Sequence, residues 1–140
     1  MKIWTDCSFD EKKKIAGIGI VTFDGEKRRV YSNYIPARSS NEGELFAIYI
    51  GAILSGGKGT VYTDSQNAIS YINREIRDKE RTQSQWINHK HCEFWACKIR
   101  KLGVKVEKIK AHQHTFQTHS IGNRLADLIA KEGRAKFYEK

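Results

Sequence analysis

The sequence has a single proline, Pro36, and no run rich in glycine and serine, so nothing in it reads as an interdomain linker. Cysteine is scarce too. Cys7, Cys92 and Cys97 are too few and too scattered for a disulfide framework, and reduced thiols are expected. No apolar stretch approaches the ~18 residues that span a bilayer, so no membrane partner is expected. The first residues are one lysine and then a β-branched and aromatic run, not the apolar core of a secretory leader, which makes a cytoplasmic location the expectation. Acids are short relative to bases: 16 Asp and Glu stand against 25 Lys and Arg, for a net charge of +9. Of that excess, +6 falls between Arg74 and Lys110, where eleven bases meet five acids. A small basic chain of this kind suits a polyanionic partner, usually a nucleic acid.

What is present is enough for a packed core. The 140 residues fit one domain over 1–140, and 39% of them are hydrophobic. Lys2 to Ser8 reads as a strand. Ile15 to Phe23 is a second, and its Gly17 and Gly19 leave room for another backbone. Asp24-Gly25 signals a hairpin, so Lys27 to Ile35 should return antiparallel, ended by Pro36. Ser39 and Glu42 have capping-box spacing at the start of a helix that Gly56-Gly57 stops. Gly59 to Asp64 is a fourth strand, followed by a helix with Ile69, Ile72 and Ile76 on one face. Residues 77–84 read as a loop, Trp86 to Leu102 as a helix capped by Gly103, and Val104 to Ile109 as a fifth strand. A polar loop from His112 to His119 leads to a last helix, Ser120 to Lys131. Gly133 closes it, and 133–140 should be a loosely ordered tail. The order βββαβααβα implies a mixed α/β sheet with helices packed on it.

Four acids stand at telling places on that frame. Asp6 lies inside the first strand, Glu44 in the first turns of the first helix, Asp64 at the end of the fourth strand and Asp127 in the last helix. Asn123 precedes Asp127 by four residues and shares its face. The first and fourth strands should be central and parallel, and ligands gather beyond the carboxyl ends of such strands. A carboxylate among apolar residues is costly to desolvate, and several together need counter-charge. Divalent metal supplies it, and oxygen donors favour Mg²⁺ or Mn²⁺ over zinc. Two such ions would make a clamp for phosphodiester cleavage.

These segments together resemble type 1 (bacterial-type) ribonuclease H over nearly the whole chain. The resemblance is carried by Trp4-Thr5-Asp6-Cys7-Ser8, Gly17-Ile18-Gly19, Asn41-Glu42-Gly43-Glu44, Thr63-Asp64-Ser65-Gln66, Lys110-Ala111-His112 and Asn123-Arg124-Leu125-Ala126-Asp127. It implies a five-stranded sheet of order 3-2-1-4-5, three antiparallel strands and then two parallel, with helices on both faces. It also implies an endonuclease that hydrolyses the RNA strand of RNA–DNA hybrids by a two-metal-ion mechanism and leaves 5′-phosphate products. Asp6, Glu44, Asp64 and Asp127 would hold two Mg²⁺ ions, with Mn²⁺ as an alternative, and His112 would be the mobile-loop histidine. Ser40, Asn41, Gln66 and Asn123 would bind the substrate, through a minor groove that shows 2′-hydroxyls on one strand only. A monomer is expected.

Two departures from the family pattern stand out. Cys7 occupies the position after the first aspartate, where the family has glycine. The spacing from His112 to Asp127 is fifteen residues, longer than the pattern, and it brings in His114 and His119 as rival histidines. Two further readings remain beside the hybrid nuclease: a DNA nuclease of the same fold (a resolvase or integrase core) and a non-catalytic nucleic-acid-binding module. Zinc at His89, His91, Cys92 and Cys97 is disfavoured, because Cys92 and Cys97 are five apart on one helix and face different directions. Trp86, Phe94 and Trp95 recur at helical spacing, which assigns them to the core.

Overall fold

A computed structural model describes residues 1–110 and 118–139. The elements run β1 (Lys2–Asp10), β2 (Ile15–Phe23), β3 (Arg28–Pro36), α1 (Ser40–Leu54), β4 (Thr60–Thr63), α2 (Gln66–Ile72), α3 (Gln83–Leu102), β5 (Lys105–Lys108) and α4 (Thr118–Tyr138). They build one five-stranded sheet in the order β3-β2-β1-β4-β5. β1 to β3 pair antiparallel, and β4 joins β1 and β5 in parallel.

Strand alternation sorts the side chains onto two faces. Ile3, Ala16, Ile18 and Ile20 pack with Leu45 and Ile48 of α1 and with Cys92, Ala96 and Ile99 of α3. Trp4 and Val21 pack on the other side with Ala126 and Ile129 of α4. Asp6 shares the face of Trp4 and so points towards α4. The glycines of β2 decide how close that helix comes. A methyl group on Gly17 or Gly19 would run into the carbonyl oxygens of Ala130 and Ala126, so α4 lies with its backbone directly on β2. Gly19 pairs with Asp6 across the ladder, and this close approach sets Asp127 beside Asp6.

Several expected boundaries move. Ser39 does cap α1, its hydroxyl accepting from the Glu42 amide at 3.1 Å. The reciprocal bond goes elsewhere: Glu42 Oε1 accepts from the Arg38 amide at 2.8 Å. The full capping box is at α3, where Thr82 and Gln85 satisfy each other's amides at 3.2 and 2.9 Å. α2 stops at Ile72, so Ile76 lies beyond its face. α4 runs through Gly133 to Tyr138, not ending near Lys131. Its last turns have tertiary partners: Arg134 reaches the Phe9 carbonyl at 3.4 Å, Lys136 donates to the Ser32 carbonyl at 2.7 Å, and Tyr138 bonds Asp10. Trp86 and Phe94 are not core. They are 42% and 52% exposed, because α3 buries the small-residue side carrying Cys92 and Ala96 together with His89 and Ile99.

Candidate active site

The parallel ladder pairs Lys2 with Thr60 and Trp4 with Tyr62. Continuing that register brings Asp6 level with Asp64 just past the end of β4. Glu44 comes in from the second turn of α1. Carboxylate oxygens of Asp6, Glu44 and Asp64 all lie within 4.8 Å of one another. Asp127 faces them across a cleft of about 340 Å³, whose wall also includes Cys7, Ser40, Asn41, Ser65 and Asn67.

Burial and crowding dominate the electrostatics. Asp6 and Glu44 are each only 7% exposed. Loss of hydration, then the nearby Asp64 charge, lifts Asp6 from the usual 3.8 to about 7, against the opposing Cys7 amide that donates to its Oδ1 at 2.8 Å. Glu44 is held well above the ordinary carboxylate range by burial, then by Asp6 and Asp64. Asp127 is more open and pairs with Lys131 at 3.1 Å, one turn along α4. Three acids converging with oxygen as the donor type, two of them raised by burial and by one another's charge, fit a hard divalent cation.

The remaining predicted residues divide. Ser40 and Asn41 border the cleft at the entrance of α1. Gln66 does not: its amide lies along α2 and donates to the Ser70 hydroxyl at 3.2 Å. Its neighbour Asn67 takes the place at the rim and donates to Asn41 Oδ1 at 3.3 Å. Asn67 was not singled out from sequence, and its one signal is its position in the first turn of the helix after Asp64. Asn123 is on the buried side of α4, and its Oδ1 has no hydrogen-bond partner among the described residues. His112 and His114 lie outside the described residues. His119 stands at the start of α4, away from the cleft lining, where its Nδ1 accepts from the Trp4 indole at 3.3 Å and its ring packs on Tyr62.

Cys7 lies on the opposite face of β1 from Asp6. Its side chain enters a niche that exists because Gly43 has no Cβ; a methyl there would collide with Cys7 Sγ. Burial, then Glu44 and Asp6, push the thiol up, so it stays protonated at neutral pH.

The mixed sheet and the acids gathered past the carboxyl ends of its parallel strands define an α/β fold with an acidic, cation-ready centre. The chain belongs to the RNase H family, whose model matches residues 1–135, and membership in that family supports nuclease activity. Solved structures agree on the fold. RNase H1 from the halophilic archaeon Halobacterium salinarum superposes with a TM-score of 0.72 at 15% identity, over 96% of this chain and 97% of that one. The N-terminal RNase H domain of rv2228c from Mycobacterium tuberculosis, solved as a fusion with maltose-binding protein, gives 0.61 at 17% identity, over 99% and 96%. No curated protein matches the sequence.

Proposed function

We propose that this chain is an endonuclease that hydrolyses the RNA strand of RNA–DNA hybrids. The observation that carries the reading is the convergence of Asp6, Glu44 and Asp64 within 4.8 Å, with Asp127 across the same cleft. These four would hold two divalent cations, Mg²⁺ or Mn²⁺. Such ions, when bound, supply activation of water and stabilisation of the leaving oxygen in phosphodiester hydrolysis. Asp6, with Glu44, Asp64 and Asp127 all beside it, would be the central ligand of the set. The chain's own contribution is placement. The parallel strands present Asp6 and Asp64 at one edge, α1 brings Glu44, and the seat of α4 on Gly17 and Gly19 fixes Asp127.

Substrate choice falls to the rim. Asn41, held by Asn67 at 3.3 Å, and the Ser40 hydroxyl present donors and acceptors next to the acids. That suits contacts to sugar hydroxyls and base edges in a wide minor groove, independent of sequence. His119, held by Trp4 and Tyr62, is an anchor of the α4 entrance in this reading, which leaves His112 as the histidine that would assist the reaction.

The test is cleavage of a labelled RNA–DNA hybrid beside duplex DNA and duplex RNA of the same sequence, in Mg²⁺ and then in EDTA. The hybrid alone should be cut, only with the cation present, and only in its RNA strand. Cleavage of duplex DNA would favour the resolvase-like reading, and binding without cleavage the non-catalytic one.

A further inference from the structure

The positive charge and the exposed aromatic rings of α3 take no part in the acidic cleft. Trp86, Lys90, Phe94 and Lys98 follow one another at four-residue steps, so they form one ridge on the solvent side of the helix. Lys101 extends it, for a length of about 22 Å from Trp86. His89, Cys92, Ala96 and Ile99 occupy the buried side. Each exposed ring carries a cation: the Arg81 guanidinium sits 5.0 Å from the centre of Trp86 and Lys98 Nζ 5.2 Å from Phe94. The one acid of α3, Glu93, is engaged with His89 at 3.0 Å.

We infer that this ridge is a docking track for single-stranded nucleic acid that continues from the cleft. Continuity is provided by the next cavity along, lined by Asn41, Asn67, Lys79, Arg81, Gln85 and Asn88. Asn41 and Asn67 also border the acidic cleft, and Arg81 leads directly onto Trp86. Charge complementarity selects a polyanion, and the rings select an unpaired one. Bases in a duplex already stack on each other, whereas an unpaired base gains a partner from an exposed ring, with the adjacent cation left for its phosphate. Rings alternating with lysines therefore suit the single-stranded extension of a substrate, irrespective of its sequence. A second copy of this chain or an acidic protein lacks the regular alternation of base and phosphate that the ridge repeats.

The whole chain is titrated with fluorescent oligothymidylate of about twenty nucleotides, read by anisotropy and by quenching of tryptophan emission. Alongside, KM is measured for a flush-ended hybrid and for the same hybrid with a single-stranded extension. Oligothymidylate should bind with steep salt dependence, and the extension should lower KM by about tenfold. Phe94→Ala and Lys90→Glu should each lose about tenfold in oligothymidylate affinity and most of the extension's effect. Turnover of the flush hybrid should not change, and Phe94→Tyr should keep the affinity. Lys90→Glu changes only an exposed head group, so it carries the result if Phe94→Ala does not fold. Absence of oligothymidylate binding, equal binding by both variants, or sedimentation showing that the ridge instead pairs two copies would overturn the inference. Oligothymidylate binding needs no hydrolysis, so a failure of the nuclease reading leaves a separate signature.

Discussion

Replacing Asp6 by asparagine should stabilise the metal-free protein and abolish its activity. Asp6 is lifted from 3.8 to about 7 by burial and then by Asp64. A carboxyl whose folded-state pKa is raised contributes its stability below its unfolded value, about pH 4, and loses it as the pH rises through 7. A rise from 3.8 to about 7 corresponds to at most about 4 kcal/mol, and Glu44, raised by burial and then by Asp6 and Asp64, acts in the same direction. Without a cation the protein should therefore melt lower at pH 8 than at pH 5. Asparagine keeps the shape and removes the charge. In EDTA at pH 8, Asp6→Asn should raise Tm by up to about 10 °C, with the gain shrinking towards zero near pH 4. Mg²⁺ should raise the Tm of the parent, by linkage to the folded state, and that of the variant much less. Scanning calorimetry across pH 4–8, with and without Mg²⁺, provides the comparison. A variant less stable than its parent at pH 8, or a gain that does not depend on pH, would refute the claim that Asp6 is held against its own charge.

Other perturbations separate placement from chemistry. Gly19→Ala puts a methyl group against the Ala126 carbonyl and should cost about 1–3 kcal/mol. Because Asp127 moves with α4, hydrolysis should fall further than the loss of folded protein explains, and full activity in the folded fraction would contradict this role for the helix seat. Thr82→Ala removes the cap of α3 and should cost about 1 kcal/mol, seen as a Tm lower by a few degrees with kcat unchanged. Hybrid affinity should fall steeply with salt, the logarithmic slope counting about 0.9 per phosphate neutralised; a flat response would remove the basic surface from the account.

The sheet was legible because strand periodicity and acid placement agree. Once β1 and β4 are read as central and parallel, Asp6 and Asp64 must share an edge. Glu44 followed from its turn of α1. The rim was less legible. Gln66 and Asn67 are adjacent amides, and which one faces the cleft depends on a fraction of a helical turn that spacing does not specify. Periodicity also showed that α3 has two sides without telling which is inward. The bulky rings of Trp86 and Phe94 suggested the core, yet α3 lies close over α1 on a side with alanine and cysteine. Gly133 looked like a terminator, but in α4 it is followed by Arg134, Lys136 and Tyr138, each tied to β1 or β3. Those long-range partners leave no trace in local sequence.

Glu42 binds parts of the chain that are distant in sequence. Its carboxylate accepts from the Arg38 amide at 2.8 Å and the Trp95 indole at 3.3 Å, and it meets His91 Nδ1 at 3.3 Å. The turn that carries Ser40, Asn41 and Glu44 is thereby strapped to the middle of α3. Substitutions at Trp95 should therefore behave in an assay like damage to the acidic cleft itself. The outer side of α3 makes no such strap, so substitutions at Lys90 or Phe94 should leave the geometry around Glu44 undisturbed.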